Sequence, residues 1–260
     1  MKTKQIIDHI VQWLKDYLEQ SGLNGFCIGV SGGIDSAVTS SLCARTGKPV
    51  LALNMPIYQA KDQVTRSCDH IAWLEKQFDN VQGIDMELSS IFDTIKSNFP
   101  DSIQDDMTMA NTRSRLRMLT LYAFASSSKM LVTGTGNKVE DFGVGFYTKY
   151  GDGGVDISPI ADLTKTQVYS LGQGLGIIED ILTAAPTDGL WDDNRSDESQ
   201  IGATYKELEW AMAYLASSQQ EPLNEREEKV LSIYKNFHIV NKHKMEPIPV
   251  CQIPDNLFRA

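Results

Sequence analysis

A glycine-rich segment near the N-terminus reads Gly29-Val30-Ser31-Gly32-Gly33-Ile34-Asp35-Ser36. It follows the apolar run 26–28 and precedes residues 37–43, whose pattern is typical of a helix. A turn of this kind between a buried strand and a helix presents backbone N–H groups and the positive end of the helix dipole to an anion. Asp35 adds a carboxylate, which fits beside bound phosphates only with a divalent cation between them. The segment therefore predicts a phosphate-binding turn, and the alternative is an ordinary tight strand-to-helix turn.

Other phosphate-binding loops are excluded by the same residues. A Walker loop requires a lysine after the glycines and the dinucleotide-binding fingerprint requires Gly-x-Gly-x-x-Gly, and this segment has neither. The pattern Ser-Gly-Gly-x-Asp-Ser at residues 31–36 resembles the pyrophosphate loop of the N-type ATP pyrophosphatases at every fixed position. That resemblance implies that ATP is split to AMP and pyrophosphate while a substrate oxygen is adenylated. It assigns ATP binding to Gly29, Val30, Ser31, Gly32, Gly33, Ile34, Asp35 and Ser36.

Apolar runs alternate with helical patterns along the first half of the chain. The predicted strands are residues 26–30, 50–56, 81–86 and 130–134. Besides residues 37–43, the predicted helices are residues 4–20, 62–78, 90–99 and 108–128. This alternation indicates an α/β fold, a doubly wound parallel sheet with helices on both faces, in a single domain over residues 1–260. We expect the ligand beyond the carboxyl ends of the strands, near residues 31–36, 54–58 and 135–140.

The composition limits which classes of partner and which cellular compartment we expect for this protein. The formal net charge of −10 argues against a nucleic-acid partner, because phosphate contacts require a basic surface. No apolar run reaches the length of a membrane span and the N-terminus has no signal-peptide pattern, so we expect no membrane association and a cytoplasmic location. The cysteines Cys27, Cys43, Cys68 and Cys251 form no C-x-x-C pair, which indicates reduced thiols.

The second half of the chain carries further motifs in a fixed order. They are residues 134–140, the run FYTKYGDGGVD at 146–156, Leu163-Thr164-Lys165, Ala185-Pro186-Thr187, Ser196-Asp197-Glu198 and His243-Lys244. Together with the phosphate loop they resemble the ammonia-dependent NAD synthetase family, across residues 26–244. The resemblance implies an adenine nucleotide α-hydrolase-like fold, ATP and Mg²⁺ as cofactors, and a homodimer.

The family reaction has two steps. The nicotinate carboxylate of deamido-NAD attacks the α-phosphate of ATP, which gives an NAD-adenylate and pyrophosphate, and ammonia then displaces AMP. This is the last step of NAD biosynthesis. Positioning and charge neutralisation are expected to provide most of the catalysis, since no enzyme nucleophile is required.

The resemblance assigns roles to single residues. Asp35 and Lys165 are the expected catalytic residues, and Asp35 and Glu140 the expected metal ligands. The interval from Glu140 to Lys149 is one residue longer than the family spacing, so Asp141 stays open as the second ligand. Thr135, Lys165 and Thr187 match ATP-contacting positions. The deamido-NAD positions are matched by Arg115, Lys149, Asp156, His243 and Lys244.

Other functions fit the sequence less well. A tRNA-modifying pyrophosphatase would be expected to carry reactive cysteines and a basic surface. A regulatory ATP-binding protein without turnover would be expected to lack Asp35 or the second acidic residue, and both are present. Glutamine use requires an activated cysteine. Cys27 and Cys43 are expected in the core, Cys68 lies on an amphipathic helix and Cys251 has no evident base nearby, so we expect ammonia, free or from another protein, as the nitrogen source.

Overall fold

A four-stranded parallel sheet forms the centre of the fold in a computed structural model that describes residues 1–186, 197–218 and 222–258. The strands are β1 (Phe26–Gly29), β2 (Val50–Asn54), β3 (Val81–Asp85) and β4 (Leu131–Val132). Their order is β3-β2-β1-β4, and Phe26 pairs with both Val50 and Leu131. The predicted parallel sheet is confirmed, although β4 is shorter than residues 130–134 because only two of its residues pair with β1.

Ten α-helices surround or extend this sheet within the described residues. They are α1 (Thr3–Ser21), α2 (Ile34–Ala44), α3 (Lys61–Gln77), α4 (Ser89–Asn98), α5 (Asp106–Ser128), α6 (Lys165–Leu175), α7 (Glu179–Leu182), α8 (Asp197–Ile201), α9 (Tyr205–Ala216) and α10 (Glu225–Met245). A π-helical segment spans Val139–Val144. Of the five helices expected in the first half, four are confirmed to within two residues at each end, and α2 begins three residues before the predicted residues 37–43. None of the described helices is long and apolar enough to cross a membrane.

Successive residues of the strands pack into two different apolar clusters, so both faces of the sheet are covered. Phe26 and Ile28 belong to a cluster with residues of α1, α2 and α6. Cys27 and Leu53 belong to a second cluster with residues of α4 and α5. Because successive side chains of a strand point to opposite faces, these two clusters lie on opposite sides of the sheet. The doubly wound architecture predicted from the sequence is therefore confirmed.

A third apolar cluster lies outside the sheet. It joins the π-helical segment to α9 and α10 through Val139, Val144, Leu208, Val230 and Tyr234. Tyr205, the first residue of α9, belongs to the same cluster and is 4% exposed. This packing brings the second half of the chain against the carboxyl end of β4, where it completes the site described below.

Candidate active site

The phosphate loop joins β1 to α2 and is held by its own serines. The N–H of Ser31 donates to Oγ of Ser36 at 3.1 Å, and that hydroxyl donates to the carbonyl of Gly33 at 2.9 Å. Gly32 has φ +80°, and a Cβ there would lie 2.7 Å from the carbonyl oxygen of Gln63. Glycine is therefore required at this position by both the left-handed backbone and the close approach of α3.

The N-terminus of α2 faces the loop with its N–H groups available. Its N-cap residue is Gly33, which has no side chain to accept them, and no side-chain cap hydrogen bond is present. Free N–H groups at a helix N-terminus attract anions. The local structure therefore supports the phosphate-binding turn predicted from the sequence.

A buried three-charge cluster lies beside the loop. Nζ of Lys165 is 2.5 Å from Oδ2 of Asp35 and 2.9 Å from Oε1 of Glu140. Asn137 donates from Nδ2 to Oδ1 of Asp35 at 3.2 Å. All three charged side chains are less than one-fifth exposed, at 5% for Lys165, 16% for Asp35 and 17% for Glu140. Lys165 was expected near phosphates, and the structure shows it bound to the two acids.

The ionisation of this cluster follows from burial and from its pairing. Burial alone would lower the pKa of Lys165, but the nearby Asp35 and Glu140 carboxylates raise it above its ordinary value. Burial favours a raised pKa for Glu140, but Lys165 and the hydroxyl of Tyr205 hold that pKa below its ordinary value. Burial raises the pKa of Asp35 despite the opposing effect of Lys165. Lys165 therefore remains protonated at neutral pH.

The π-helical segment separates the roles of Glu140 and Asp141. Glu140 pairs with Lys165, which also pairs with Asp35, whereas the Asp141 carboxylate packs so close to Gly136 that a Cβ on Gly136 would lie 2.0 Å from Oδ2 of Asp141. Burial and the charge of Glu140 raise the pKa of Asp141 well above its ordinary value. A π turn contains one residue more than an α turn, which accommodates the extra residue noted between Glu140 and Lys149. This geometry favours Glu140 as the partner of Asp35 in metal binding.

Tyr205 and Asp197 join the cluster, and neither was assigned a role from the sequence. The hydroxyl of Tyr205 donates to Oε1 of Glu140 at 2.5 Å and lies 3.1 Å from Oδ2 of Asp197. Nζ of Lys165 lies 4.7 Å from the centre of the Tyr205 ring, which is a cation–π distance. The Ser196-Asp197-Glu198 motif signalled this region, but nothing in the sequence near Tyr205 marked the tyrosine itself.

A cavity of about 610 Å³ opens over the loop and the cluster. Its lining includes every residue from 29 to 36, together with Asn54, Thr135, Glu140 and Lys165. The three strand ends expected to surround the ligand therefore meet at one cavity. Thr187, expected at the ATP site, lies outside the described residues.

A second cavity of about 650 Å³ adjoins the first, and Met118, Tyr147, Val155 and Lys244 line both. Arg115 and Lys149 line only the second, and Nε of Arg115 donates to the carbonyl of Lys149 at 3.3 Å. The structure thus brings together three of the five residues assigned to deamido-NAD.

The other two residues of that set, Asp156 and His243, line neither cavity. The carbonyl of His243 accepts from Nζ of Lys149 at 2.6 Å, and its exposed ring does not line the cavity. The Asp156 carboxylate accepts from the N–H of Val132 at 2.8 Å and from the hydroxyl of Tyr122 at 2.9 Å. These bonds fix Asp156 against β4, so a substrate contact stays a prediction for it, as it does for the whole set.

The chain matches the family described as NAD synthase over residues 6–247. The NH(3)-dependent NAD(+) synthetase of Mesoplasma florum is 34% identical, with 94% of this chain and 95% of the relative covered. That of Mannheimia succiniciproducens is 35% identical, with 98% of both covered. The solved NMN synthetase from Francisella tularensis superposes with a TM-score of 0.84 at 32% identity, covering 98% of this chain and 99% of that one.

Proposed function

Because the chain belongs to the NAD synthase family, a family of ligases, we propose that it amidates the nicotinate carboxylate of deamido-NAD with ammonia, using ATP. The observation that supports this most directly is the pair of adjoining cavities. One contains the phosphate loop and the acidic cluster, and the other is lined by the basic side chains of Arg115, Lys149 and Lys244. Two anionic nucleotides can therefore meet at the shared boundary.

In this scheme the residues of the chain bind the two nucleotides and orient them for reaction. The N–H groups at the start of α2 hold the ATP phosphates, and the basic cavity holds the nicotinate nucleotide beside them. Lys165 fixes the positions of Asp35 and Glu140. The proposed chemistry requires no covalent intermediate on the protein. Burial raises the pKa of the Cys27 and Cys43 thiols to about 12, so these two thiols are poor nucleophiles at neutral pH.

Asp35 and Glu140 are the residues that would hold Mg²⁺. Within the described parts of the chain, no group of three or more Asp, Glu, His or Cys side chains is arranged to hold a metal ion. A pair of carboxylates nevertheless fits Mg²⁺, which commonly takes one or two protein carboxylates and completes its shell with phosphates and water. Bound there, the ion would neutralise charge on the triphosphate.

The proposed reaction is tested by following every product. Purified protein with ATP, Mg²⁺, ammonium and deamido-NAD should release AMP, pyrophosphate and NAD in equal amounts. Glutamine freed of ammonium should yield almost no NAD, because no cysteine is among the described residues that line the first cavity. Absence of AMP release under the full conditions, or strong glutamine-dependent synthesis, would contradict the proposal.

A mononucleotide substrate is the second candidate. It is favoured by the similarity to the Francisella tularensis NMN synthetase over nearly the whole chain. An enzyme with that product would amidate nicotinate mononucleotide by the same chemistry. The two candidates separate in one assay, because the ratio of kcat/KM for deamido-NAD to that for nicotinate mononucleotide exceeds one in the first case and falls below one in the second.

Assembly and location also belong to this proposal. Exposed apolar side chains, including Ile239, Val240, Ile248 and Val250, lie on α10 and the segment after it, and Ile248 lines the second cavity. An apolar surface beside a ligand cavity supports the homodimer implied by the family. The four cysteines are unpaired in the described structure, which supports a cytoplasmic location. Light scattering of the purified protein gives its subunit number directly.

A further inference from the structure

The cationic side chains of the first cavity differ in the groups that they bind. Its lining includes four cationic side chains, which are Arg66, Arg117, Lys165 and Lys244. Lys165 is engaged by two carboxylates. Lys244 donates to the carbonyls of Gly145 and Tyr147 at 2.9 and 2.8 Å. Arg66 and Arg117 are the two arginines among the described residues that line this cavity.

Arg117 is hydrogen-bonded to other groups of the protein. Its Nε donates to the carbonyl of Met55 at 2.9 Å, and its Nη2 donates to Oε1 of Gln59 at 2.7 Å. These bonds tie α5 to the segment after β2. Arg117 therefore serves to hold the cavity wall in place.

Arg66 differs because it has a buried donor without a partner. Its Nη1 pairs with Oδ2 of Asp62 at 2.9 Å, one turn earlier on α3. Its Nε is buried and makes no hydrogen bond among the described residues. The side chain is 18% exposed, whereas that of Asp62 is 68% exposed. An exposed i, i+4 pair contributes little stability, so the partner Asp62 does not account for burying a guanidinium.

The position of Arg66 is fixed against the phosphate loop. A Cβ on Gly32 would lie 3.2 Å from Cβ of Arg66 and 3.0 Å from the backbone nitrogen of Ser67. Oγ of Ser67 donates to the carbonyl of Val30 at 2.7 Å. The second turn of α3 thus packs directly on the loop, and the Arg66 side chain starts beside Gly32 and borders the same cavity.

We propose that Arg66 is a further ATP-binding residue, whose guanidinium contacts the phosphates of ATP that leave as pyrophosphate. This rests on the proposed function for the identity of the nucleotide. The contact gives the largely buried guanidinium a charged acceptor beside the loop, in addition to the exposed Asp62. Guanidinium–phosphate hydrogen bonds are charge-assisted and among the stronger ones in proteins.

Binding is measured by calorimetry on the full chain, with pyrophosphate, ATP and AMP as separate probes. Arg66→Ala should weaken pyrophosphate and ATP binding by about tenfold or more, since a hydrogen bond to a charged group contributes about 1.5–3 kcal/mol. AMP binding should change by less than about twofold, because AMP lacks the phosphates in question. Arg66→Lys should recover part of the loss, and its recovery shows that the fold is intact.

Two variants serve as matched controls. Asp62→Asn removes the ion pair but keeps the guanidinium, and Arg45→Ala removes an exposed arginine from the opposite end of α2. Both should bind pyrophosphate like the wild type. In turnover, Arg66→Ala should raise the KM for ATP while kcat at saturating ATP stays near the wild-type value.

The outcomes separate this inference from the proposed function. Wild-type binding of pyrophosphate with equal binding by Arg66→Ala would overturn the role of Arg66. Equal losses for ATP and AMP would also overturn it, since they would indicate a general disturbance of the cavity. A wild-type protein that binds ATP without amidating a nicotinate nucleotide would contradict the proposed function but leave the phosphate contact measurable.

Discussion

Lys165 carries one positive charge between two carboxylates, so the buried cluster is net negative before a ligand binds. Removing one partner from such a cluster leaves an uncompensated charge and a changed geometry. A cation bound between Asp35 and Glu140 would restore the balance. The cluster is therefore suited to recruit a divalent ion together with the phosphates.

At the same scale, paired variants distinguish Glu140 from Asp141. Glu140→Gln should lower kcat by about two orders of magnitude or more, because charge stabilisation by a bound metal ion contributes roughly several kcal/mol. Asp141→Asn should keep most of the activity, because its carboxylate packs against Gly136 and is not bonded to Lys165. The measurement is kcat against Mg²⁺ concentration. A larger loss in Asp141→Asn would move the second ligand to Asp141.

At the scale of the element, α9 determines where the Tyr205 hydroxyl lies. The helix begins with a capping box in which Oγ1 of Thr204 accepts the N–H of Glu207 at 3.3 Å and Oε2 of Glu207 accepts the N–H of Thr204 at 2.8 Å. Arg226 on α10 binds both carboxylate oxygens of Glu207 at 2.7 Å. These bonds anchor the first turn of α9, and with it Tyr205.

Removing the N-cap side chain of α9 should therefore lower the free energy of unfolding. Thr204→Ala should lower the free energy of unfolding by about 1 kcal/mol, which is typical for loss of an N-cap. In a chain of this size that corresponds to a fall in Tm of about 2–4 °C. Thr94→Ala, at an exposed position inside α4, is the control and should change stability by less than about 0.5 kcal/mol. Equal effects of the two variants would show that the cap is not a stability determinant.

For the whole molecule, the buried His70 makes folding sensitive to acid. The ring is 0% exposed, stacks on Trp73 and has its Nε2 2.9 Å from Oγ of Ser40. Burial lowers the pKa of His70 from 6.5 to about 4. Between these two pH values the unfolded chain therefore binds a proton at His70 that the folded chain does not bind. The free energy of unfolding consequently falls as pH decreases from about 6.5 to about 4.

This effect is measured as a difference between variants. From pH 7 to pH 4.5 the wild type should lose about 2 kcal/mol more of its unfolding free energy than His70→Gln, as followed by urea denaturation. Buried carboxyls such as Asp141 act in both proteins and cancel in the comparison. His9→Gln, at an exposed position on α1, should keep the wild-type dependence. Parallel curves for His70→Gln and wild type would exclude His70 as the source.

Local sequence determined the sheet, the helices around it and the phosphate loop. Continuous apolar runs are buried on both faces of a parallel sheet, so the strands can be inferred from short segments. Gly32 has a positive φ that favours glycine, so the loop can also be inferred from a short glycine-rich segment. The tertiary structure decided the pairing of Lys165 with Asp35, 130 residues apart, the contact of Tyr205 with Glu140, and the unpartnered Nε of Arg66. These contacts depend on how crossover helices pack at the carboxyl ends of the strands, and no local pattern of residues specifies that packing.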